Sequence, residues 1–225
     1  MSERLNKYLA LQLGVSRREA DSLIEHGQVR IDGTKAILGS RYEPGSQIVV
    51  RNQLLGEPVN YEYLALNKPA GYVSSRKQQG DNPTIYALLP KKYHNLKPVG
   101  RLDQNSSGLL LLTNDGDFAY HMTHPKFYKV KKYTVTLDTP LQPLHQQMIN
   151  DHGIQLEDGV SKLTLEKVDE SALNWIVTMH EGRNRQIRRT FSALGYEVTE
   201  LYRTNFGNYD VGDLEVGQFE AVPKI

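Results

Sequence analysis

The chain has 225 residues, 39% of them hydrophobic and 24% charged, enough to bury a sizeable core in one large domain or a small one beside a medium one. With 27 Lys and Arg against 26 Asp and Glu and no cysteine, the composition excludes disulfides, thiolate catalysis and cysteine-held metal clusters, and any case for a nucleic-acid partner must rest on local clusters. No window approaches the roughly 20 apolar residues of a membrane span, and MSERLNKYLA lacks the apolar core of a signal peptide, so the expected compartment is the cytoplasm.

Taken in chain order, Leu5, Tyr8, Leu9 and Leu13 fall at helical spacing, and Gly14 ends that helix. Ser16 with Glu19 makes a capping box for a second helix carrying Ala20, Leu23 and Ile24, which Gly27 stops. QVRIDGTKAI alternates around Asp32-Gly33, a hairpin signal, and PGSQIVV offers one more short strand. RNQLLGEPVN, with Gly56 and Pro58, reads as a linker and places a boundary between residues 1–55 and 56–225.

Beyond it, YEYLALNKPAGYVSS predicts a strand, a tight turn at Lys68-Pro69 and a second extended piece. Short helices are predicted from Asn82-Pro83, from Gly116-Asp117, and over Pro143 to His152 up to Gly153. KKYTVTL, SKLTLEKV and ALNWIVTMH alternate like half-buried antiparallel strands, with Trp175 in the core. In EGRNRQIRRTFSALGYEV the residues Ile187, Phe191 and Leu194 form one apolar helical stripe ended by Gly195. The fold class is therefore α+β: a small helical and strand module, then a mixed, mainly antiparallel domain.

Several clusters carry two readings. Arg4, Lys7, Arg17, Arg18 and Arg30 suit a phosphate backbone, yet Glu3, Glu19, Asp21 and Glu25 are interleaved, as on a solvated helix face. Lys126, Lys129, Lys131 and Lys132 alternate with Phe127, Tyr128 and Tyr133, as in an RNA groove or a lysine-protected edge strand. His121 and His124 read as a helix end rather than a metal site, and Asp115 and Asp117 as turn and N-cap. In GRLDQNSSGLLLLTNDG, Gly100 to Gly116, Asp103 stands before a run of four leucines. A carboxylate beside apolar residues needs a cation. Arg188, flanking the apolar stripe, is the best candidate, with Arg185 and Arg189 pointing further out. On spacing alone, Asp103 reads instead as the cap of the QNSSG turn and Arg188 as a cation reaching to water.

LNKYLALQLGVSRREADSLIEHGQVRIDG followed by PGSQIVV resembles the alpha-L RNA-binding domain. NKPAG at Asn67 to Gly71, the Gly100 to Gly116 segment, HPKFYKVKKY ending in Lys132-Tyr133, EGRNRQIRRTFSALG at Glu181 to Gly195 and LYRTNFG at Leu201 to Gly207 are similar to the motifs of the ribosomal-RNA pseudouridine synthases of the RsuA/RluB type. The resemblance spans almost the full length, with the pieces in the family's order. It implies an isomerase that flips a uridine of ribosomal RNA into a pocket, detaches the base and rejoins it through carbon 5, with no cofactor and no metal. The partner is then ribosomal RNA or a ribosomal subunit precursor, met by a monomer. The RNRQIRR run leans towards the large subunit.

The resemblance also implies roles. Asp103 is the catalyst, Arg188 its basic partner, and Tyr133 the ring that stacks on the extruded uracil and handles a proton with its hydroxyl. Leu201 is an apolar wall of the pocket, and Arg101 enters the helix where the flipped base had been. Lys68 is a structural or RNA-facing position, and Lys132, Arg185 and Arg189, with Arg17 and Arg18 of the first module, are RNA contacts. The family's basic residue near the end is replaced here by Gln218-Phe219-Glu220. Two rival readings are a non-catalytic ribosome-assembly factor on the same fold, and a metal-assisted phosphodiesterase using Asp115, Asp117 and His121.

Overall fold

A computed structural model describes residues 2–56, 60–76, 78 and 80–225. They divide into two compact units, Met1–Glu62 and Tyr63–Ile225.

In the first unit, β1 (Glu3–Arg4) leads into α1 (Leu5–Gln12) and α2 (Arg17–Glu25), followed by β2 (Val29–Ile31), β3 (Thr34–Lys35), β4 (Arg41–Tyr42), β5 (Ile48–Val50) and β6 (Gln53–Leu54). The capping box forms as the residue types demand: Ser16 Oγ accepts from the Glu19 N–H at 3.1 Å and Glu19 Oε2 accepts from the Ser16 N–H at 2.6 Å. The small sheet runs β3-β2-β5-β6, with β1 on β4 apart from it. Leu5, Leu9, Ala20, Ile24, Val29 and Ile48 close the core between helices and sheet.

The linker begins later than expected. Arg51 and Asn52 both lie in the left-handed region, φ 50° and 65°, and turn β5 back onto β6, the conformation a two-residue hairpin turn requires. Pro58 lies outside the described residues.

The second unit contains β7 (Tyr63–Lys68), β8 (Lys97–Pro98), β9 (Ser107–Thr113), α3 (Gly116–Thr123), β10 (Lys131–Leu137), α4 (Pro143–Gln147), β11 (Ile154–Leu156), β12 (Gly159–Ser161), β13 (Thr164–Lys167), β14 (Asn174–Met179), α5 (Gln186–Ser192), β15 (Val198–Phe206), β16 (Tyr209–Asp210) and β17 (Phe219–Ala221). Nine of these strands form one sheet in the order β13-β14-β10-β15-β9-β7-β17, with β16 on β15 and β8 on β9, while β11 and β12 pair apart from it. Its pairs are antiparallel except β15 on β9. The Asn82-Pro83 helix is only a 3₁₀ turn, Ile85–Leu88. The helix predicted to His152 is α-helical as far as Gln147 and widens to a π turn over Met148–His152.

The four leucines Leu109 to Leu112 alternate between two covered faces, which is why the run is apolar throughout. Leu110 and Leu112 share one cluster with Val135, Trp175, Val177, Ile187 and Phe191. Leu109 and Leu111 face Phe118 and Met122 of α3 and Phe206 of β15. Seven residues are too few for a helix stable by itself. Buried Ile187 and Phe191 hold α5 on the sheet, each contributing about 1.5–3 kcal/mol.

Candidate active site

The Arg-Leu-Asp triplet sits in the loop between β8 and β9, and alternation along it explains its make-up. Leu102 turns into the core, where its carbonyl accepts from Ser74 Oγ at 2.9 Å and its N–H donates back to that oxygen at 3.3 Å. Arg101 and Asp103 on either side line a cleft of about 600 Å³, within the range that takes a nucleotide-sized ligand. The Asp103 carbonyl closes a turn with the Ser106 N–H at 3.1 Å, while its carboxylate, 34% exposed, faces the cleft.

Of the two readings of Lys68, structural or RNA-facing, burial favours the first: the residue is fully buried. Its ammonium donates to the carbonyls of Ser106 at 2.7 Å, Pro69 at 2.9 Å, and Asp103 and Gln104 at 3.3 Å. Burial, with Arg203 nearby, lowers its pKa to about 8 against the pull of Asp103. The Gly71 N–H adds a bond to the Gln104 carbonyl at 2.8 Å. The NKPAG segment is thus the cradle of the Asp103 loop.

The arginines of the RNRQIRR run divide by task. Arg185, the residue before α5, takes a left-handed conformation, φ 46°, and its guanidinium reaches Asp103 Oδ2 at 3.9 Å. The cation nearest the carboxylate is therefore Arg185, not Arg188 as the stripe suggested. Arg188 donates to the carbonyls of Val198 and, at 2.9 Å, Asn105, tying α5 to the residue two beyond Asp103. Burial, then the charge of Arg185, lowers its pKa, while Asp103 opposes that.

Arg189, expected at the RNA, is turned away onto Asp158 with bonds of 2.7 and 3.1 Å. Arg183 joins it there at 2.8 Å and also holds the Gly159 and Val160 carbonyls. These two arginines fasten the β11–β12 hairpin beside α5, and Arg183 also lines the cleft. Two carboxylate oxygens fit two forked cations, a pairing that charge pattern alone does not reveal.

In β10, side chains alternate across the sheet. Tyr133, 8% exposed, and Lys131, 9% exposed, point to the cleft side and line it. Lys132 lies on the opposite, exposed face, so it is not a neighbour of Tyr133 in the cleft. The edge-strand reading of this lysine cluster fails, because β10 is hydrogen-bonded on both sides, to β14 and β15. Leu201 and Arg203 of β15 complete the wall.

Two further cations line the cleft: Lys131, named in the sequence only as one of a lysine cluster, and Arg203, which the sequence did not single out. Lys131 has its pKa lowered to about 8 by burial and by Arg203, against the opposing pull of Glu181. The two-residue period of KKYTVTL already puts it on the face of Tyr133. Arg203 is buried and donates to the Leu109 carbonyl at 2.8 Å. It is placed there by Gly108: a Cβ at that glycine would stand 2.3 Å from the Arg203 carbonyl oxygen, so only glycine lets β9 and β15 approach. No local signal in the sequence announces that contact.

The residues of the metal-assisted alternative are occupied otherwise. Asp115 caps α3 through the N–H groups of Asp117 and Phe118, both at 3.0 Å, and its second oxygen accepts from Tyr63 and Lys224 at 2.8 Å. His121 Nδ1 bonds the Asp117 carbonyl at 2.7 Å. In the first unit, Arg17 and Arg18 are exposed at the start of α2. Arg17 lines a second cleft with Arg4, Lys7 and Arg41 and donates to Asn6 Oδ1 at 3.2 Å.

Comparison with known proteins agrees with this geometry. Residues 62–193 match the family model described as RNA pseudouridylate synthase, and residues 3–48 match the S4 domain. The chain is similar to "Ribosomal large subunit pseudouridine synthase B" of Bacillus subtilis (strain 168), 36% identical over 96% of this chain and 90% of that protein. The protein of the same name from Escherichia coli (strain K12) is 38% identical over 92% of this chain and 75% of the relative. A solved structure described as "Crystal structure of pseudouridylate synthase" superposes with a TM-score of 0.70 at 32% identity, covering 98% of this chain and 96% of that one. The chain, a small S4 module followed by a largely antiparallel sheet that holds an aspartate at the rim of a nucleotide-sized cleft, belongs to the RNA pseudouridylate synthase family.

Proposed function

We propose that this enzyme isomerises a uridine of large-subunit ribosomal RNA to pseudouridine, with Asp103 as the catalytic carboxylate. The observation that carries the assignment is the placement of that carboxylate, facing a cleft of about 600 Å³ whose wall includes Tyr133 and Leu201. The reaction breaks the bond from ribose C1′ to uracil N1, turns the base, forms the bond from C1′ to C5 and releases the proton from C5. Atoms and electrons balance with no donor, so the chain's own groups suffice.

Asp103 acts on the nucleotide as an ionised carboxylate, with Arg185 beside it and Arg188 anchoring its loop. Tyr133, on a central strand, offers its ring to the flipped uracil and its hydroxyl for proton handling, and Leu201 packs against the base. Arg101, exposed at the rim, fills the gap left in the RNA helix. Exposed Arg17 and Arg18 meet phosphates. Among the described residues no helix is long and apolar enough to cross a membrane. The reading places the enzyme in the cytoplasm as a monomer that meets its RNA there.

The test is tritium release from unmodified large-subunit rRNA labelled at uracil C5. Wild-type protein should release tritium. Asp103→Asn, which removes the charge without changing shape, should release none while binding the RNA within about threefold of wild type, under 1 kcal/mol. Release by the variant would overturn the role of Asp103, and a wild-type protein inert on rRNA would favour the assembly-factor reading.

A further inference from the structure

Tyr128 caps a short turn through its backbone, its N–H donating to the Pro125 carbonyl at 3.0 Å, but nothing in that role calls for an aromatic side chain. It follows the 3₁₀ turn Pro125–Phe127 in the left-handed conformation, φ 48° and ψ 40°, a region that costs a bulky aromatic residue stability. Its side chain is 74% exposed, so burial returns almost nothing for that strain. A strained residue that contributes little to packing points to a role outside folding.

Its surroundings indicate what that role is. Lys126, also exposed, sets its ammonium 5.1 Å over the Tyr120 ring and 4.7 Å over the Phe127 ring, so a cation and several aromatic faces are gathered on one knuckle. The knuckle borders the catalytic cleft. Thr123 and Pro125 line that cleft, as does His180, whose Nδ1 bonds the Tyr128 carbonyl at 3.3 Å. Five residues on, the same segment carries Tyr133, so the Cα atoms of the two tyrosines lie at most about 18 Å apart. A ring presented to solvent two residues from an exposed lysine, at the mouth of a cleft that takes a flipped nucleotide, has the chemistry of a single-stranded base platform.

We propose that Tyr128 is a stacking platform for an unpaired base flanking the target uridine, with Lys126 on the adjoining phosphate. The inference rests on the proposed rRNA substrate. It adds a second base-binding position outside the cleft, and with it a source of sequence-context preference. Both rings of the segment would then hold bases, Tyr133 the reacting one and Tyr128 a neighbour. The left-handed backbone turns the Tyr128 side chain outward where a β or α conformation would aim it elsewhere.

The experiment uses full-length protein and unmodified large-subunit rRNA labelled with tritium at uracil C5. Loss of one base stack should raise KM for Tyr128→Ala by about 5- to 150-fold, the loss falling on KM rather than on kcat. Tyr128→Phe and Tyr128→Trp should keep KM within about twofold, since stacking needs a ring and not the hydroxyl. Tyr128→Gly should lose binding like the alanine variant, yet melt at or above the wild-type Tm because glycine accepts φ 48°. Lys126→Ala should reduce the slope of log Kd against log salt by about one ion.

An unchanged KM in Tyr128→Ala overturns the platform, as does failure of both Phe and Trp to preserve it. A defect seen on assembled subunits but absent on naked rRNA assigns the surface to a protein partner and overturns the RNA reading of it. If wild-type protein releases no tritium, the enzymatic assignment itself has failed, and the Tyr128 variants are then compared by Kd for the same RNA, where an unchanged value again refutes the platform.

Discussion

Replacing Lys68 with methionine keeps an unbranched stem of similar length in a fully buried site and removes the ammonium. Three protons serve the four carbonyls of Pro69, Asp103, Gln104 and Ser106. At about 1.5–3 kcal/mol for each bond from a charged donor, their loss costs roughly 4–9 kcal/mol. Against this stands the cost of burying the charge. A pKa held at about 8 instead of 10.5 corresponds to about 3 kcal/mol at neutral pH. The net expectation is a destabilisation of roughly 1–6 kcal/mol at pH 7, read from urea unfolding.

The pH dependence has a definite sign. The folded pKa lies below the unfolded one, so between about 8 and 10.5 the unfolded chain binds more protons and wild-type stability rises with pH. From pH 7 to about 9.5 the wild type should gain about 2 kcal/mol relative to Lys68→Met, widening the difference between them. Tritium release should fall with stability, because the loop carrying Asp103 loses its cradle. A gap that narrows with pH, or a variant within about 0.5 kcal/mol of wild type at pH 7, would refute the reasoning.

Gly108→Ala should destabilise the second unit by about 3 kcal/mol or more, since its Cβ would meet the Arg203 carbonyl at 2.3 Å with φ held at +98°; thermal unfolding checks this, and a wild-type Tm would deny the close approach. Arg188→Ala should cost about 2 kcal/mol by stranding the Asn105 and Val198 carbonyls. It should also lower kcat by loosening the Asp103 loop. Arg188→Lys should fail to restore kcat, because the ammonium lacks the planar guanidinium whose two ends reach the Val198 and Asn105 carbonyls; full rescue by lysine would show that charge alone matters there.

What the sequence determined by itself was local or periodic. The Ser16–Glu19 capping box, the Asp32-Gly33 hairpin, the doubly covered leucine run and the placing of Tyr133 on an alternating strand follow from residue type and spacing, because the interactions concerned span a few residues. The order of the five motifs carried the family in the same way. The family motif points to Lys132-Tyr133, but the two-residue period of the strand puts Lys131, not Lys132, on the face of Tyr133.

Tertiary structure decided how charges were paired. Lys68 lies 35 residues from the Asp103 carbonyl it holds, and Arg189 lies 31 residues from Asp158. Nothing in either neighbourhood says which cation meets carbonyl, carboxylate or solvent. The left-handed turn at Arg185 swings one guanidinium to Asp103 and leaves Arg188 to the loop beneath it. Long side chains carry their charge several ångströms from the backbone, so sequence spacing fixes the stem of an arginine while only the packed fold fixes the place of its head.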